Sequence, residues 1–156
     1  MVTLRPATSP VLRHDVLPPG GLQPFSFTAF GDSGYTANFE ANLRLTKVLG
    51  VPLAFHLGDM TYSSTVGNID NFANDVKGVL GTTFPFMLSA GNHEQCSADG
   101  HISYFTRRLP PQIALEDPAV AADPRLYGIR YWFDYPKANP YVRFICCTPG
   151  EGTLYN

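Results

Sequence analysis

Three short clusters, each led by glycine, hold most of the residues able to do chemistry: Gly31-Asp32-Ser33-Gly34, Gly58-Asp59-Met60-Thr61-Tyr62 and Gly91-Asn92-His93-Glu94. Among them are two strand-end aspartates, a phenol, an amide oxygen and an imidazole. Crowding Asp32 beside Asp59 without a cation would make one carboxyl hold its proton, whereas divalent or trivalent ions turn the same crowding into ligation. Oxygen donors suit hard ions. Two such ions roughly 3.5–4 Å apart can activate water, grip phosphoryl oxygens and stabilise both ends of an in-line displacement. A single Gly-Asp pair is more often a turn or cap than a ligand. Three in order, each after an apolar run, point to a shared site.

The elements that must position these clusters follow from pattern. Phe25 to Phe30, FSFTAF, reads as a strand stopping at Gly31. After Thr36, a candidate N-cap, Ala41, Leu45, Val48 and Leu49 follow helical spacing up to Gly50. Val51 to Leu57 is a short apolar run, predicted as a strand buried on both faces. Ile69, Phe72, Ala73, Val76, Val79 and Leu80 give the cleanest helical period, and Phe84 to Leu88 a third strand. A βαβαβ order predicts an α/β fold with a parallel sheet and right-handed crossovers, whose strand ends open into one crevice. Residues 1–24, rich in proline, are expected to be an irregular lead-in, and 25–156 one domain portion. Residues 97–130 read as a loop-rich excursion with one helical turn. Tyr131 to Tyr135 and Tyr141 to Cys147 read as a β-hairpin.

In order and approximate spacing, the three clusters resemble the first signature blocks of the calcineurin-like metallophosphoesterases, from about Phe25 to Glu94, with a weaker echo in the hairpin. Gly34, where many relatives carry a ligating histidine, and Tyr62, three places after Asp59, resemble the purple acid phosphatases. The resemblance implies part of a metallophosphoesterase α/β sandwich with a binuclear metal centre. Asp32 and Tyr62 would bind a ferric ion, Asp59 would bridge, and Asn92 would bind a divalent ion such as Zn2+, Fe2+ or Mn2+. His93, off the metals, would stabilise the phosphoryl group or protonate the leaving oxygen. The implied activity is hydrolysis of small phosphate monoesters by a metal-bound hydroxide.

That family also uses later histidines, one at a strand end and two in a closing GHxH, and His101 is the only histidine after Glu94. The sequence is therefore expected to be an N-terminal fragment of a catalytic domain, weak in metal affinity and prone to self-association through an exposed sheet. Alternatives are a phosphodiesterase of the same superfamily, or a non-catalytic metal-binding or interaction module. A nucleotide-binding domain is a weaker choice, since neither GxGxxG nor GxxxxGK[ST] follows a strand.

Composition narrows the partners. With 11 Lys+Arg against 13 Asp+Glu, a net charge of -2 and no basic run, neither nucleic acid nor an anionic membrane is the expected partner. Three cysteines give no disulfide framework. No signal peptide or membrane-spanning run is evident, so the compartment stays open. His56 reads as a hydrogen-bonded core histidine, His14 as solvated, Cys96 as a structural or incidental thiol, Glu94 as a buttress of its loop, and Trp132 as hairpin core.

Overall fold

The computed structural model describes residues 12–16, 20, 22–62, 65–95 and 101–148. Cys96 and much of the proline-rich lead-in lie outside these residues. The fold is mixed α/β, built on a four-stranded sheet in the order β1-β2-β3-β4, with β1 Leu12–Val16, β2 Phe25–Phe30, β3 Ala54–His56 and β4 Phe86–Leu88. Strands β2, β3 and β4 run parallel, with Phe30 beside His56 and His56 beside Leu88. Strand β1 runs antiparallel to β2, so the sheet is mixed rather than all-parallel. This corrects the expectation of irregular chain at 12–16. The segment LRHDV contains no proline or glycine, and it takes an edge position, where flanking prolines interrupt no central ladder. His14 is exposed and stacks on Phe27 at 4.8 Å.

Helices α1, Ala37–Leu49, and α2, Val66–Leu80, cover one face of the sheet. Helix α1 ends at Gly50 in the left-handed conformation, and the Thr65 hydroxyl accepts from Asn68 N to cap α2. The α2 period holds: Ile69, Phe72, Ala73 and Val76 are buried, and Val79 and Leu80 pack against the core. The α1 face differs from its expected one. Phe39, Asn42, Leu43 and Thr46 are buried, while Val48 is 82% exposed and Leu45 also faces solvent. Two polar residues on the inward stripe hid its period. Thr46 is accommodated because its hydroxyl meets that of Thr28 on β2, 3.2 Å away. Phe39 stacks on Phe72 at 4.1 Å, joining the two helices. Burying a phenylalanine as completely as Phe72 stabilises by roughly 2–3 kcal/mol.

A hairpin of β5, Arg130–Tyr135, and β6, Val142–Cys147, covers the opposite face, at the expected place. Phe144 meets Phe27 and Phe55 at 5.2 and 5.0 Å, and the Tyr131 hydroxyl donates to Leu88 O at 2.7 Å. Strand alternation makes Tyr131 and Phe133 the hairpin core. Trp132 points the other way, under the Arg143 guanidinium at 3.9 Å, which corrects its expected core role. The excursion before the hairpin is more helical than its prolines suggest. It contains α4, His101–Arg108, and α5, Pro118–Ala122, then a 3-10 turn, Pro124–Leu126. Pro118 and Pro124 each open a helix behind a capping aspartate, Asp117 or Asp123, rather than breaking one. Ile102 and Phe105 give α4 its buried stripe, and Leu109 just past its end continues it. Among the described residues no helix is long and apolar enough to cross a membrane.

Candidate functional site

The parallel strands deliver the three glycine-led clusters side by side, and the backbone ties them together. Asp32 N donates to Gly58 O at 3.0 Å and Gly34 N to Asp59 O at 3.1 Å, joining the first loop to the second. The second meets the third through glycine. A Cβ on Gly58, at φ 100°, would lie 2.6 Å from Gly91 Cα, and one on Gly91 would lie 2.1 Å from Asp59 Oδ1. Neither position has room for a side chain.

Beneath this junction sits Glu94, at the end of the short helix α3, Asn92–Gln95. Glu94 as a whole is 2% exposed. One oxygen accepts from Asp59 N and Gly91 N, each at 2.8 Å; the other accepts from Met60 N at 2.8 Å and Thr61 N at 3.4 Å. Burial raises its pKa, and the N–H donors from both loops oppose that rise. Glu94 thus acts as the expected buttress, and it reaches two loops rather than one.

The sequence-predicted site residues stand on the rim above. Asp32 and Asp59 both hold left-handed backbone, at φ 50° and 54°, a conformation aspartate tolerates better than most residues. Asp32 is exposed and Asp59 half-buried. The Tyr62 hydroxyl donates to Asp32 Oδ1 at 3.4 Å, a long contact for an O–H donor. The Tyr62 ring meets the His93 imidazole edge-on at 4.4 Å, and His93 N donates to Asp59 Oδ1 at 3.2 Å. Asn92 and His93 are exposed at the start of α3. Gly34, at φ 57°, lies under the tyrosine: a Cβ there would be 2.4 Å from Tyr62 Cδ2. Absence of a side chain at 34 and presence of the ring at 62 are therefore one structural fact. Partial burial, then the negative charge of Asp32 and Asp59, raises the Tyr62 pKa.

The donors fit a hard cation in kind, being carboxylate, phenol and amide oxygens on the loops that follow the three parallel strands. They are few. Among the described residues no three His, Cys, Asp or Glu side chains gather as a potential metal cluster.

Inside the core, His56 is fully buried, and its Nε2 lies 2.7 Å from Ser33 Oγ, as expected of a hydrogen-bonded core histidine. That Ser33 is its partner was not legible, because the two are 23 residues apart and no periodic signal pairs a loop serine with a strand histidine. Comparisons of the chain with family models, curated proteins and solved structures return no significant match.

Proposed function

We propose that this rim is the metal-binding part of a phosphoesterase active site, of the purple acid phosphatase kind within the calcineurin-like metallophosphoesterases. One observation supports the reading: three strand-end loops are fastened to one another so that Asp32, Asp59, Tyr62 and His93 share a single rim, with exposed Asn92 between Gly91 and His93. Asp32 and Tyr62 would hold a ferric ion, Asp59 would bridge to a divalent ion such as Zn2+, Fe2+ or Mn2+, and Asn92 would complete the second position. The bound ions supply Lewis acidity toward water and a phosphoryl oxygen. Tyr62 must lose its proton to ligate, which its carboxylate neighbours oppose until a cation offsets their charge. His93, edge-on to Tyr62, would orient the phosphoryl group of a small phosphate monoester and hold a proton near the leaving oxygen.

That His101 is the only histidine after Glu94 favours a second reading, a metal-binding module without turnover. Phosphodiesterase action would use the same rim on a larger ester.

The test loads the purified chain with Fe3+ and Zn2+, counts bound metal by elemental analysis, and measures hydrolysis of p-nitrophenyl phosphate and bis(p-nitrophenyl) phosphate. Phosphatase function predicts monoester turnover lost in Asp59→Asn, with a tyrosinate-to-iron absorption lost in Tyr62→Phe. Metal binding without turnover fits the module or a phosphatase site short of its histidine ligands, and diester turnover selects the phosphodiesterase. Metal uptake indifferent to Asp59 and Tyr62 refutes all three.

A further inference from the structure

We propose that Ser33 and His56 are positioning residues, whose buried hydrogen bond anchors the Asp32 loop to the centre of the sheet. The proposal rests on the reading of Asp32 as a ligand, but the bond can be tested without any metal.

His56 sits on β3 among four phenylalanines, Phe30, Phe39, Phe72 and Phe86, with ring centroids 5.3, 6.1, 5.4 and 6.3 Å away. Such a pocket suits an apolar side chain. The imidazole is instead fully buried, its Nδ1 has no hydrogen-bond partner, and burial pushes its pKa down to about 3. A leucine would fill the space without an orphaned polar atom, so packing alone does not account for histidine here.

What histidine adds is the contact to Ser33. Ser33 is 5% exposed, follows Asp32 directly, and accepts the Thr36 hydroxyl on its own carbonyl at 3.0 Å. Besides the long Tyr62–Asp32 contact, three hydrogen bonds hold this loop along its length. Those at Asp32 N and Gly34 N reach Gly58 and Asp59, themselves part of the rim. The tie at Ser33 Oγ reaches β3, which is paired on both sides and fully buried. The Ser33 bond therefore references the loop to the sheet, and the others reference it to a second loop.

The discriminating variant is the double substitution Ser33→Ala with His56→Leu, which removes both polar partners and leaves no new orphan. Replacing both partners by apolar groups is nearly neutral or stabilising. We expect urea stability at or above that of the native chain. Amide exchange at Asp32 and Gly34, read by NMR, should accelerate about three- to tenfold, the loss of one ordinary hydrogen bond. His56→Gln, whose amide can still reach Ser33, should restore part of the protection; Tb3+ affinity, followed by tyrosine-sensitised luminescence, should fall in the double variant and recover in part in His56→Gln. Unchanged exchange at both amides overturns the proposal. Should the double variant not fold, Ser33→Ala alone gives the same reading, faster exchange supporting the tie and native exchange overturning it. If the native chain binds no Tb3+ while exchange still accelerates, the positioning role stands and the metal reading falls.

Discussion

The fully buried imidazole of His56 makes a quantitative demand on acid stability. Its pKa falls from an ordinary 6.5 to about 3 in the folded chain because burial disfavours the charged ring. On lowering the pH below 6.5 the unfolded chain takes up a proton that the folded chain refuses, so stability present above 6.5 drains away toward 3. Integrated from pH 7 to pH 5, the loss is about 2 kcal/mol, and by pH 4 it reaches about 3 kcal/mol. Against a total of roughly 5–15 kcal/mol for a small domain, that is a readily measured fraction. The assay is urea unfolding of the native chain and of His56→Leu at both pH values, followed by fluorescence of the sole tryptophan, Trp132. Other titrating groups are common to both proteins and cancel. The native chain should lose about 2 kcal/mol more than the variant between pH 7 and pH 5. Equal losses would refute the reasoning, since they would mean that the ring takes up its proton without leaving the folded state.

Glu94→Gln keeps one acceptor oxygen but turns an NH2 group toward two backbone donors. At about 1.5 kcal/mol for each charge-assisted bond lost, urea unfolding should show a destabilisation of roughly 3 kcal/mol. A change under about 0.5 kcal/mol would mean the loops hold without it. Gly34→Ala should cost about 1 kcal/mol through its left-handed backbone, and the exposed Tyr62 ring should swing aside. Tyrosine-sensitised Tb3+ emission should fall as in Tyr62→Phe. Phe72→Ala, at the junction of α1, α2 and α4, should cost about 3–5 kcal/mol in thermal or urea unfolding.

The parts of this fold that sequence revealed are those where a single physical demand sets the residue type. Strands β2, β3 and β4 are apolar runs stopped by glycine, and helix α2 buries an unbroken aliphatic and aromatic stripe. Where two demands compete, the pattern blurs. Helix α1 turns Asn42 and Thr46 inward, while Leu45 and Val48 stay in solvent, so its apolar residues indicate the wrong face. Strand β1 carries Arg13, His14 and Asp15 at its centre because an edge asks little of its outward side. Trp132 lies on the far side of a hairpin whose Tyr131 and Phe133 face inward, and only the alternation between them tells which. Residue type and order pointed to the loops that the structure ties together, where Tyr62 meets Asp32 and His93, and His93 N meets Asp59. The reach of Glu94 and the Ser33–His56 tie are long-range hydrogen bonds, invisible to any local period.

The contact of Gly58 with Gly91, closed from beneath by Glu94, also bears on how such a rim could be rebuilt elsewhere. Because the loops touch backbone to backbone, no donor can be grafted singly onto another parallel sheet. A designer would first have to transplant the glycines and the buried glutamate, with strand ends spaced to let them meet, and only then choose which side chains to present. The scaffold is the motif, and the donors are the part open to exchange.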